Sequence, residues 1–501
     1  MHLPAILICT AALLLPHTVS TSVLRSLDNA PVLHFTLARR GGKFSPTEHE
    51  LDYVNMTYLS QELEKTESRF NLTQREVMGN KLVRKAKSNG SGGDEKGLTM
   101  GDAATDGIWY AKINIGDPPQ EIEMDLNMLF PDFYVITTTS RKGSKYDDYF
   151  SKSIQKSLDR PYPTCFLPSE LFHLPTVNTS LRLPFALCRP SKFGLHTLGA
   201  SGSTLGLAPS EHLSRTGSSF LKLLLDREVV KRPVFSLMLI NGQEGVLSIG
   251  GTAAHAIDMV MSQTETELDR LGGKEIVEKP KVESEKILPP LAKRGRTGKG
   301  IVSRQTNWEE GFAWSGVQGA DGWWQLLMRG VWVDGSRVLR NQAVVIDINS
   351  PFILAPPLAT KAFYASVSGS RPLPPPVSNF YVFPCLNPPK LHFEFGGNMF
   401  PFMQGGRGAE WSGIPGGKFS LGRLEAGSGY CVGAVVETRM GIKEERDEVV
   451  QNGRKGSRWI GGRGGLGGNG MRDVWVIGEG FFRGVGGVFD FKEHRVGFRA
   501  Y

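Results

Sequence analysis

Residues 122–136 read IEMDLNMLFPDFYVI, and the first part of this stretch alternates apolar and polar side chains as a β-strand does. The alternation leads to one acid, Asp125, at the point where a buried strand would run out. An acid at a strand end is a candidate for chemistry. Its position raises the question whether a second carboxylate elsewhere in the chain faces it.

A second stretch repeats this local pattern. Residues 344–350 read VVIDINS and match IEMDLNM, since each has a strand, then Asp, then Leu or Ile, then Asn. Asp347 follows Asp125 by 222 residues (347 − 125). Each half later carries an apolar strand that ends in a glycine, STLGLAP and VWVIGEGFF. Two similar halves that each offer one acid at a strand end can face each other across a pseudo-two-fold axis.

The chemistry of such a pair follows from proximity. Two carboxylates a few ångströms apart cannot both ionise, so they share one proton. The ionised member can take a proton from a water held between them, while the protonated member polarises a peptide carbonyl. Asp125 and Asp347 are therefore the candidate catalytic residues, and this chemistry requires no metal, cofactor or covalent intermediate. The ten histidines show no triad or metal-ligand spacing, and CxxC is absent.

Length and composition favour a β-rich protein of several units. A chain of 501 residues is too long for one ordinary core, which gives about two or three domains or lobes. Its 60 glycines and 30 prolines, with few long helical periods, indicate strands joined by many turns. One helix is predicted in SSFLKLLLDREVV, with Ser219 as its cap, followed by a strand in VFSLMLI.

Changes in composition predict the boundaries along the chain. Residues 21–104 are polar and charged, and strong β alternation begins directly afterwards, so this region is predicted to be a propeptide or a disordered N-terminal extension. Residues 262–310 are rich in charge and nearly free of aromatic side chains, as a disordered insertion is. They separate an N-terminal lobe, 105–261, from a C-terminal lobe, 311–501, in which a Gly/Arg-rich insertion covers about residues 443–469.

The beginning of the chain has the features of a cleavable signal peptide. An apolar stretch covers residues 6–15 and small residues follow it, so residues 1–20 are predicted to be removed and the protein to be secreted or delivered to a vacuole. Later segments are neither long nor apolar enough to span a bilayer. Four sequons suit a glycoprotein on that route: Asn55, Asn71, Asn89 and Asn178.

The net charge of +8 does not indicate a nucleic-acid partner. Much of it lies in Arg and Lys runs outside the apolar alternation, such as KLVRKAK and NGRKGSR, which are typical of solvated tails and loops. Aromatic and basic residues are not interleaved as they are in nucleic-acid-binding sheets. Three dibasic pairs are candidate sites for a processing protease, although most such pairs are simply solvated: Arg39-Arg40, Arg84-Lys85 and Lys293-Arg294.

Four of the five cysteines remain once Cys9 leaves with the signal peptide. An even number in a secreted chain indicates disulfides, and four cysteines allow three connectivities. Nearest-neighbour pairing, Cys165 with Cys188 and Cys385 with Cys431, would put one bridge in each half.

From about residue 107 to residue 501 the chain resembles the pepsin family of aspartic peptidases in the content and order of its motifs. WYAKINIGDPPQEIEMDLNM is similar to the opening of that family's first lobe, and GSTLGLAPSE and RPVFSLMLINGQEGVLSIGG are similar to its later strands. The second lobe is matched in order by GWWQLLMRGVWVDGSRV, AVVIDINSPFILAPP, PCLNPPKLHFEFGG and VWVIGEGFFRGVGGVFDFKEHRVGFRAY.

This resemblance implies an all-β fold, a bilobal pepsin-like double β-barrel with pseudo-two-fold symmetry and a few short helices. It implies a disulfide between Cys385 and Cys431 and an inhibitory propeptide up to about residue 104. It also implies a polypeptide substrate in the cleft between the lobes, cleaved at acidic pH by a monomer.

Both acid motifs depart from the family's Asp-Thr-Gly pattern. Leu126 and Ile348 replace threonines whose hydroxyls, in the family, hydrogen-bond across the lobe interface, and the two apolar side chains can instead pack against each other. Asn127 and Asn349 replace the glycines, and Asn is the residue next most tolerant of left-handed backbone. Their backbone N–H groups can still support each carboxylate. Ser350 can donate to an outer carboxylate oxygen.

Three further expectations concern the surroundings of the acids. The family's flap, a hairpin with Tyr before Gly-Thr-Gly, has no counterpart in the stretch that contains Tyr149 and Tyr162. Asp132 is interpreted as a surface turn acid rather than a second acid near the first. Trp323 and Trp324 are predicted to be core or lobe-interface aromatics.

Two functional hypotheses follow from the sequence. The first is the zymogen of a pepsin-like endopeptidase in which Asp125 and Asp347 activate water. The second is a catalytically silent pepsin-like protein that keeps the cleft and binds a peptide, a cell-wall polymer or a partner. The first is the main prediction. The losses in both acid motifs and in the flap are the reason for the alternative, because one missing donor in a preorganised site can cost about 10²-fold in rate.

Overall fold

A computed structural model describes residues 32–39, 54–82 (71–82 as backbone only), 107–137, 146–159, 165–174, 180–189, 203–209, 219–239, 244–252, 309, 311–318, 322–402, 419–425, 427–440 and 473–500. Within these ranges the chain is mostly β-sheet, with 25 strands and four helices, which confirms the predicted all-β class. Several predicted features lie outside the described residues: the signal peptide, the insertion at 262–310 apart from Glu309, the insertion at 443–469, Arg84-Lys85 and Lys293-Arg294.

The strands of the first half of the chain are β1 (Leu33–Arg39), β2 (Trp109–Ile115), β3 (Gln120–Asn127), β4 (Phe133–Ile136), β5 (Cys165–Phe166), β6 (Ser169–His173), β7 (Ser180–Pro184), β8 (Ala186–Cys188), β9 (Thr204–Gly206), β10 (Val234–Leu239) and β11 (Glu244–Ile249). The helices are α1 (Met56–Leu82), α2 (Phe220–Asp226), α3 (Pro357–Ala365) and α4 (Glu479–Phe482).

The strands of the second half are β12 (Ala313–Gly316), β13 (Gln325–Val333), β14 (Ser336–Ile346), β15 (Ile353–Ala355), β16 (Arg371–Pro372), β17 (Tyr381–Pro384), β18 (Leu391–Phe395), β19 (Asn398–Pro401), β20 (Ser420–Arg423), β21 (Tyr430–Gly433), β22 (Val435–Glu437), β23 (Val474–Ile477), β24 (Val485–Asp490) and β25 (Arg495–Ala500).

The largest sheet in the described ranges has 14 strands and joins both ends of the chain. Its order is β12-β25-β24-β10-β11-β1-β2-β3-β9-β4-β8-β5, with β6 paired to β2 and β7 to β6. The last two strands, β24 and β25, continue the sheet of the first half because β24 pairs with β10. The other two sheets have the orders β19-β18-β13-β14-β23-β15-β22 and β16-β17-β21-β20.

The same four-strand arrangement occurs in both of the larger sheets. In the first, β3 is parallel to β9, β9 is antiparallel to β4, and β4 is parallel to β8. In the second, β14 is parallel to β23, β23 is antiparallel to β15, and β15 is parallel to β22. Asp125 lies near the end of β3 and Asp347 directly follows β14. The two acids therefore occupy corresponding ends of the first strand in each repeat.

Glycines at the end of β9 and directly after β23 let the loop that follows each acid approach closely. A side chain at Gly206 would collide with the backbone of residues 131–132, and one at Gly478 would collide with the carbonyl oxygen of Ser350. Because only glycine fits there, the two apolar strands end as the sequence pattern indicated.

The predicted helix in the first half is confirmed as α2. The hydroxyl of Ser219 caps it by accepting a hydrogen bond from the backbone N–H of Lys222 at 3.3 Å. Its apolar side chains Phe220, Leu221 and Leu224 are buried in the main core. The strand predicted after it is β10.

Two elements between residues 21 and 104 were not predicted from the sequence. Strand β1 lies inside the large sheet, paired with β11 on one side and β2 on the other, and it buries Leu33, Phe35 and Leu37. Helix α1 is 27 residues long, in contrast to the short helices that were expected. The described parts of this region are therefore folded onto the rest of the protein.

Both disulfides of the nearest-neighbour pairing are present. Cys165 is bonded to Cys188, which joins β5 to β8, and Cys385 is bonded to Cys431, which joins the end of β17 to β21. Among the helices of the described ranges, none combines the length and apolar character needed to cross a membrane.

Candidate active site

Asp125 is completely buried in the last part of β3. Its backbone N–H donates to the carbonyl of Ser203 at 2.9 Å. In the sheet it lies opposite Tyr110 of β2 and Thr204 of β9. Because strands on both sides hold its backbone, the sheet fixes the position of this carboxylate.

Asp347 is equally buried after β14. Its N–H donates to the carbonyl of Ile477 at 3.1 Å, and a tight turn follows in which the Ser350 N–H donates to the Asp347 carbonyl at 3.0 Å. The N–H of Asn349 donates to Oδ1 of Asp347 at 3.2 Å. The backbone support that was predicted for this carboxylate is therefore in place.

The side chain of Asn349 brings the two acid-bearing segments into contact. Its Nδ2 donates to the carbonyl of Leu126 at 2.6 Å, and its Oδ1 accepts the N–H of Trp109 at 2.9 Å. Leu126 directly follows Asp125, and Trp109 begins β2, which pairs with β3. The strand ends that carry Asp125 and Asp347 therefore meet in the folded protein.

The reason given for asparagine in both motifs was wrong. Four non-glycine residues in the described ranges have a positive φ, and neither Asn127 nor Asn349 is one of them. What the asparagines contribute is side-chain hydrogen bonding. Oδ1 of Asn127 accepts the N–H of Leu129 at 2.9 Å, which closes a turn within its own loop.

Ser350 also differs from the expectation. Its hydroxyl donates to the carbonyl of Phe352 at 3.0 Å, so it does not donate to an oxygen of Asp347. A hydroxyl has one proton to give, and the buried carbonyl two residues ahead takes it. Leu126 and Ile348, the residues that directly follow the two acids, are both buried within one hydrophobic cluster.

The two adjacent tryptophans join the halves of the chain, as predicted. Both are buried just before β13. The indole N–H of Trp323 donates to the carbonyl of Leu129 at 3.2 Å, and that of Trp324 donates to the carbonyl of Leu207 at 2.7 Å. These carbonyls belong to the loops that follow β3 and β9, so the tryptophans brace the surroundings of Asp125.

A basic side chain from α1 reaches the site, which sequence reasoning missed. Nη2 of Arg69 donates to Oδ2 of Asp347 at 2.9 Å and to the carbonyl of Asn349 at 3.0 Å. The Arg69 side chain is 14% exposed and that of Asp347 is 1% exposed, so water screens this ion pair weakly. The next residue, Phe70, is buried edge-to-face on Trp323, with 5.8 Å between ring centroids.

Other contacts hold α1 across the second half of the chain. The hydroxyl of Thr438 donates to Oε1 of Glu67 at 2.6 Å, and the N–H of Arg439 donates to the same oxygen at 3.1 Å. Just before the helix, the N–H of Val54 donates to the carbonyl of Arg423 at 2.8 Å. The signal that could have revealed α1 is the helical spacing of its buried apolar residues, Leu59, Leu63 and Phe70.

A buried cluster of charges ties β1 to α4. Nε of Arg39 lies 3.2 Å from Oε2 of Glu479, and Nη2 of Arg483 lies 3.0 Å from Oε1. The indole N–H of Trp109 donates to the same carboxylate at 2.9 Å. Burial lowers the pKa of Arg483, although the carboxylate of Glu479 opposes this effect. Arg39 of the predicted processing site is therefore buried, and Arg40 lies outside the described residues.

The prediction that Asp132 is a surface turn acid was wrong, because its side chain is fully buried. It lies in the loop between β3 and β4, where its backbone packs against Gly206. This close approach draws the loop inward. Pro131 and Asp132 are turn-forming residue types, and the sequence pattern alone therefore predicted an exposed turn.

The stretch that contains Tyr146 and Tyr149 is anchored by a buried carboxylate. Glu170 accepts hydrogen bonds from the hydroxyls of Tyr146 at 2.5 Å and Ser151 at 2.7 Å, from the hydroxyl of Ser153, and from the N–H of Leu171 at 2.8 Å. Burial alone would raise the pKa of the Glu170 carboxyl, but the bonds from Ser153, Tyr146 and Ser151 outweigh it and hold that pKa below its ordinary value. Burial and the bond to Glu170 raise the pKa of Tyr146.

The tyrosines noted in this region do not meet the acids in the part of the chain that the structure describes. Tyr149 is 76% exposed, and Tyr162 lies outside the described residues. Within the described ranges, no group of three or more His, Cys, Asp or Glu side chains converges to hold a metal ion.

Comparison with known proteins points in one direction. An aspartic protease of Phaffia rhodozyma is 24% identical over 181 residues, which are 35% of this chain and 34% of that protein. The chain thus matches about a third of the length of this curated relative. No family model matches the chain. The similarity supports the aspartic protease family.

Proposed function

We propose that this protein is a secreted or vacuolar pepsin-like aspartic endopeptidase with two lobes, which hydrolyses peptide bonds at acidic pH. One observation carries the proposal. Two buried acids stand at corresponding ends of a repeated strand arrangement, and the hydrogen bond from Asn349 to the carbonyl of Leu126 joins the segments that bear them. The similarity to an aspartic protease supports the same reaction.

In this mechanism Asp125 and Asp347 share one proton and hold a water between them. The ionised carboxylate removes a proton from the water, which attacks the peptide carbonyl, while the protonated carboxyl donates its proton to the carbonyl oxygen. The C–N bond of the tetrahedral intermediate then breaks, as the first carboxyl passes the proton it took from water to the leaving amine and the second carboxyl regains its own. Burial of both acids excludes bulk water and strengthens these interactions. The substrate is an extended polypeptide lying between the two halves, and no cofactor takes part.

The protein described here is a zymogen in this proposal, and the inhibitory segment lies within residues 21–104. The guanidinium of Arg69 binds Oδ2 of Asp347, and the next residue, Phe70, packs edge-to-face on Trp323. A carboxylate held in an ion pair is a poor base, and a helix in the groove excludes substrate. Substrate can enter only after this helix has left the groove.

A second candidate is a catalytically silent pepsin-like protein that binds a ligand in the same groove. The observation that favours it is that the residue directly after each acid carries no hydroxyl group. Leu126 and Ile348 are apolar, and the hydroxyl of Ser350 is engaged by Phe352. A site that lacks these donors would bind a peptide without stabilising the transition state.

The deciding experiment measures cleavage of a denatured protein by the acid-treated full chain between about pH 3 and about pH 6. We expect cleavage that a statine-containing peptide inhibits and that Asp125→Asn and Asp347→Asn abolish equally. Asp226→Asn is the matched control, because this acid is exposed and pairs only with Lys222 on α2 among the contacts described. Tight binding of the inhibitor without cleavage by the wild type would establish the binding protein instead.

A further inference from the structure

We infer that the side chain of Asn349 is the brace that holds the two acid-bearing segments in a fixed relation, a positioning role beyond the support that its backbone gives Asp347. The catalytic meaning of this brace rests on the proposed function. The brace itself can be tested whether or not the protein cleaves peptides.

Asn349 uses its backbone N–H and both polar atoms of its side chain at the junction. Its N–H donates to Asp347, its Nδ2 donates to the carbonyl of Leu126, and its Oδ1 accepts from the N–H of Trp109. The residue thereby connects the loop after β14 to β3 and to β2. It is 9% exposed, so water competes little for these bonds.

The brace comes from one half of the repeat alone. Asn127 occupies the matching place in the first motif, yet its Oδ1 accepts from Leu129 two residues ahead in the same loop. Leu126 and Ile348 have no polar side-chain atom with which to cross the junction. Of the two residues that follow each acid, Asn349 is therefore the one whose side chain connects the two motifs.

Trp109, the partner of Asn349, is held in turn by the loop that carries Asn349. Its indole N–H donates to Glu479 at 2.9 Å, and the backbone N–H of Glu479 donates to the carbonyl of Ser350 at 2.9 Å. Ser350 directly follows Asn349, so the four residues close a ring of hydrogen bonds. A closed ring resists the sliding of one segment past the other more than separate bonds would.

This ring of hydrogen bonds predicts the effect of removing the Asn349 side chain. Asn349→Ala leaves the Trp109 N–H without an acceptor and the Leu126 carbonyl without its donor. The free energy of opening at β2 then falls, and the N–H of Trp109 exchanges with solvent more readily. Because the acids shift relative to each other, kcat falls while KM stays nearly constant.

Hydrogen exchange on the full chain tests the brace without any need for catalysis. We expect Asn349→Ala to accelerate exchange at the Trp109 amide about tenfold, the change that corresponds to one ordinary hydrogen bond. Asn127→Ala is the matched control and should leave this amide unchanged. Equal exchange in Asn349→Ala and the wild type, or equal acceleration in both variants, would overturn the inference.

A pair of isosteric variants covers the case in which Asn349→Ala does not fold. In Asn349→Asp an ionised carboxylate cannot donate to the Leu126 carbonyl, but a protonated one can. In Asn127→Asp the side chain needs only to accept, which a carboxylate does at any pH. We expect Asn349→Asp to lose more stability than Asn127→Asp at neutral pH, and the gap to close below about pH 4. A gap that is absent, or that does not change with pH, would contradict the brace.

The outcomes separate this inference from the proposed function. If the wild type cleaves nothing but exchange at Trp109 responds as expected, the brace stands and the peptidase proposal fails. If the wild type cleaves peptides and Asn349→Ala changes neither the exchange at Trp109 nor kcat, the brace alone is refuted.

Discussion

The ion pair between Arg69 and Asp347 is the contact through which single side chains most directly control the site. Both partners are largely buried, and removing one partner of such a pair costs about 3–5 kcal/mol because the other charge is left uncompensated. We expect Arg69→Gln to loosen α1 and to allow substrate cleavage, or inhibitor binding, at a higher pH than the wild type does. Activity as a function of pH and thermal unfolding would measure this.

Lys65→Gln provides the control for that prediction. Lys65 lies on the same helix and pairs with Glu62 at 3.4 Å, one turn away from the contact with Asp347. Its loss should leave the pH dependence of cleavage or inhibitor binding nearly unchanged. If both variants shift this dependence equally, the effect belongs to the helix as a whole and not to the guanidinium on Asp347.

Glu170 gives a second prediction at the scale of one residue. Its lowered pKa means that its hydrogen bonds stabilise the fold above the ordinary carboxyl pKa, and that this stability is lost as pH falls through the lowered value. Glu170→Gln should therefore cost about 2 kcal/mol or more at neutral pH, since an amide cannot accept all four donors, and the difference from the wild type should shrink in acid. Urea unfolding at several pH values would measure it.

The exposed carboxylate of Glu121 is the matched control for Glu170. It pairs with Lys112 on the surface, where both side chains are more than half exposed, and such pairs contribute little. Glu121→Gln should unfold like the wild type at every pH. A loss of stability equal to that of Glu170→Gln would show that the buried hydroxyl donors are not the cause.

At the scale of an element, the start of α1 combines a helix cap with a sequon. Oδ1 of Asn55 accepts the N–H of Tyr58 at 3.0 Å, and both Asn55 and Thr57 are exposed. A glycan bonds to Nδ2 and leaves the capping oxygen in place, so the cap and the glycan are compatible. In a secreting host, Thr57→Val should lower the mass by one glycan while it retains the cap.

Asn55→Asp and Asn55→Ala complete this test. Asp keeps a capping oxygen without a sequon, whereas Ala loses both, and a lost N-cap costs about 1 kcal/mol. After enzymatic deglycosylation we expect the wild type, Thr57→Val and Asn55→Asp to unfold alike and Asn55→Ala to unfold first. An unchanged mass for Thr57→Val would show that Asn55 is not modified.

At the scale of the whole molecule, each disulfide fastens strands within one half of the chain. The bridges close loops of 23 and 46 residues, for which chain-entropy arguments give about 3–4 kcal/mol each. Replacing either pair by serine should lower the free energy of unfolding by about that amount. Denaturant unfolding of each double variant, with the reduced wild type for comparison, would measure it. If the free energy of unfolding falls by less than about 1 kcal/mol, the disulfides contribute little to stability by closing these loops.

The sequence predicted well what depends on local pattern. The repeat of Asp125 and Asp347 at strand ends, the helix capped by Ser219, and the glycines at 206 and 478 all follow from spacing and from residue size. These features are set by a few neighbours in the chain. For that reason the all-β class and the two strand-end acids could be deduced without a structure.

What could not be deduced depends on contacts between distant parts of the chain. Nothing beside Arg69 in the sequence indicates that it lies on Asp347, 278 residues away. Asn349 was expected to matter for its backbone, whereas its side chain makes the decisive contact with Leu126, 223 residues away. Asp132 and Ser350 were misjudged for the same reason, because burial and competing acceptors arise only when the sheets assemble.

Strand β10 pairs with β24, and Val234 lies opposite Asp490, 256 residues later (490 − 234). During synthesis the sheet that carries Asp125 must wait with an open edge until β24 has left the ribosome. Closing so long a span is entropically costly and makes for slow folding, and an unpaired edge invites association with other nascent chains. Loss of the last two strands should therefore leave an insoluble polypeptide, however intact the residues around the first acid are.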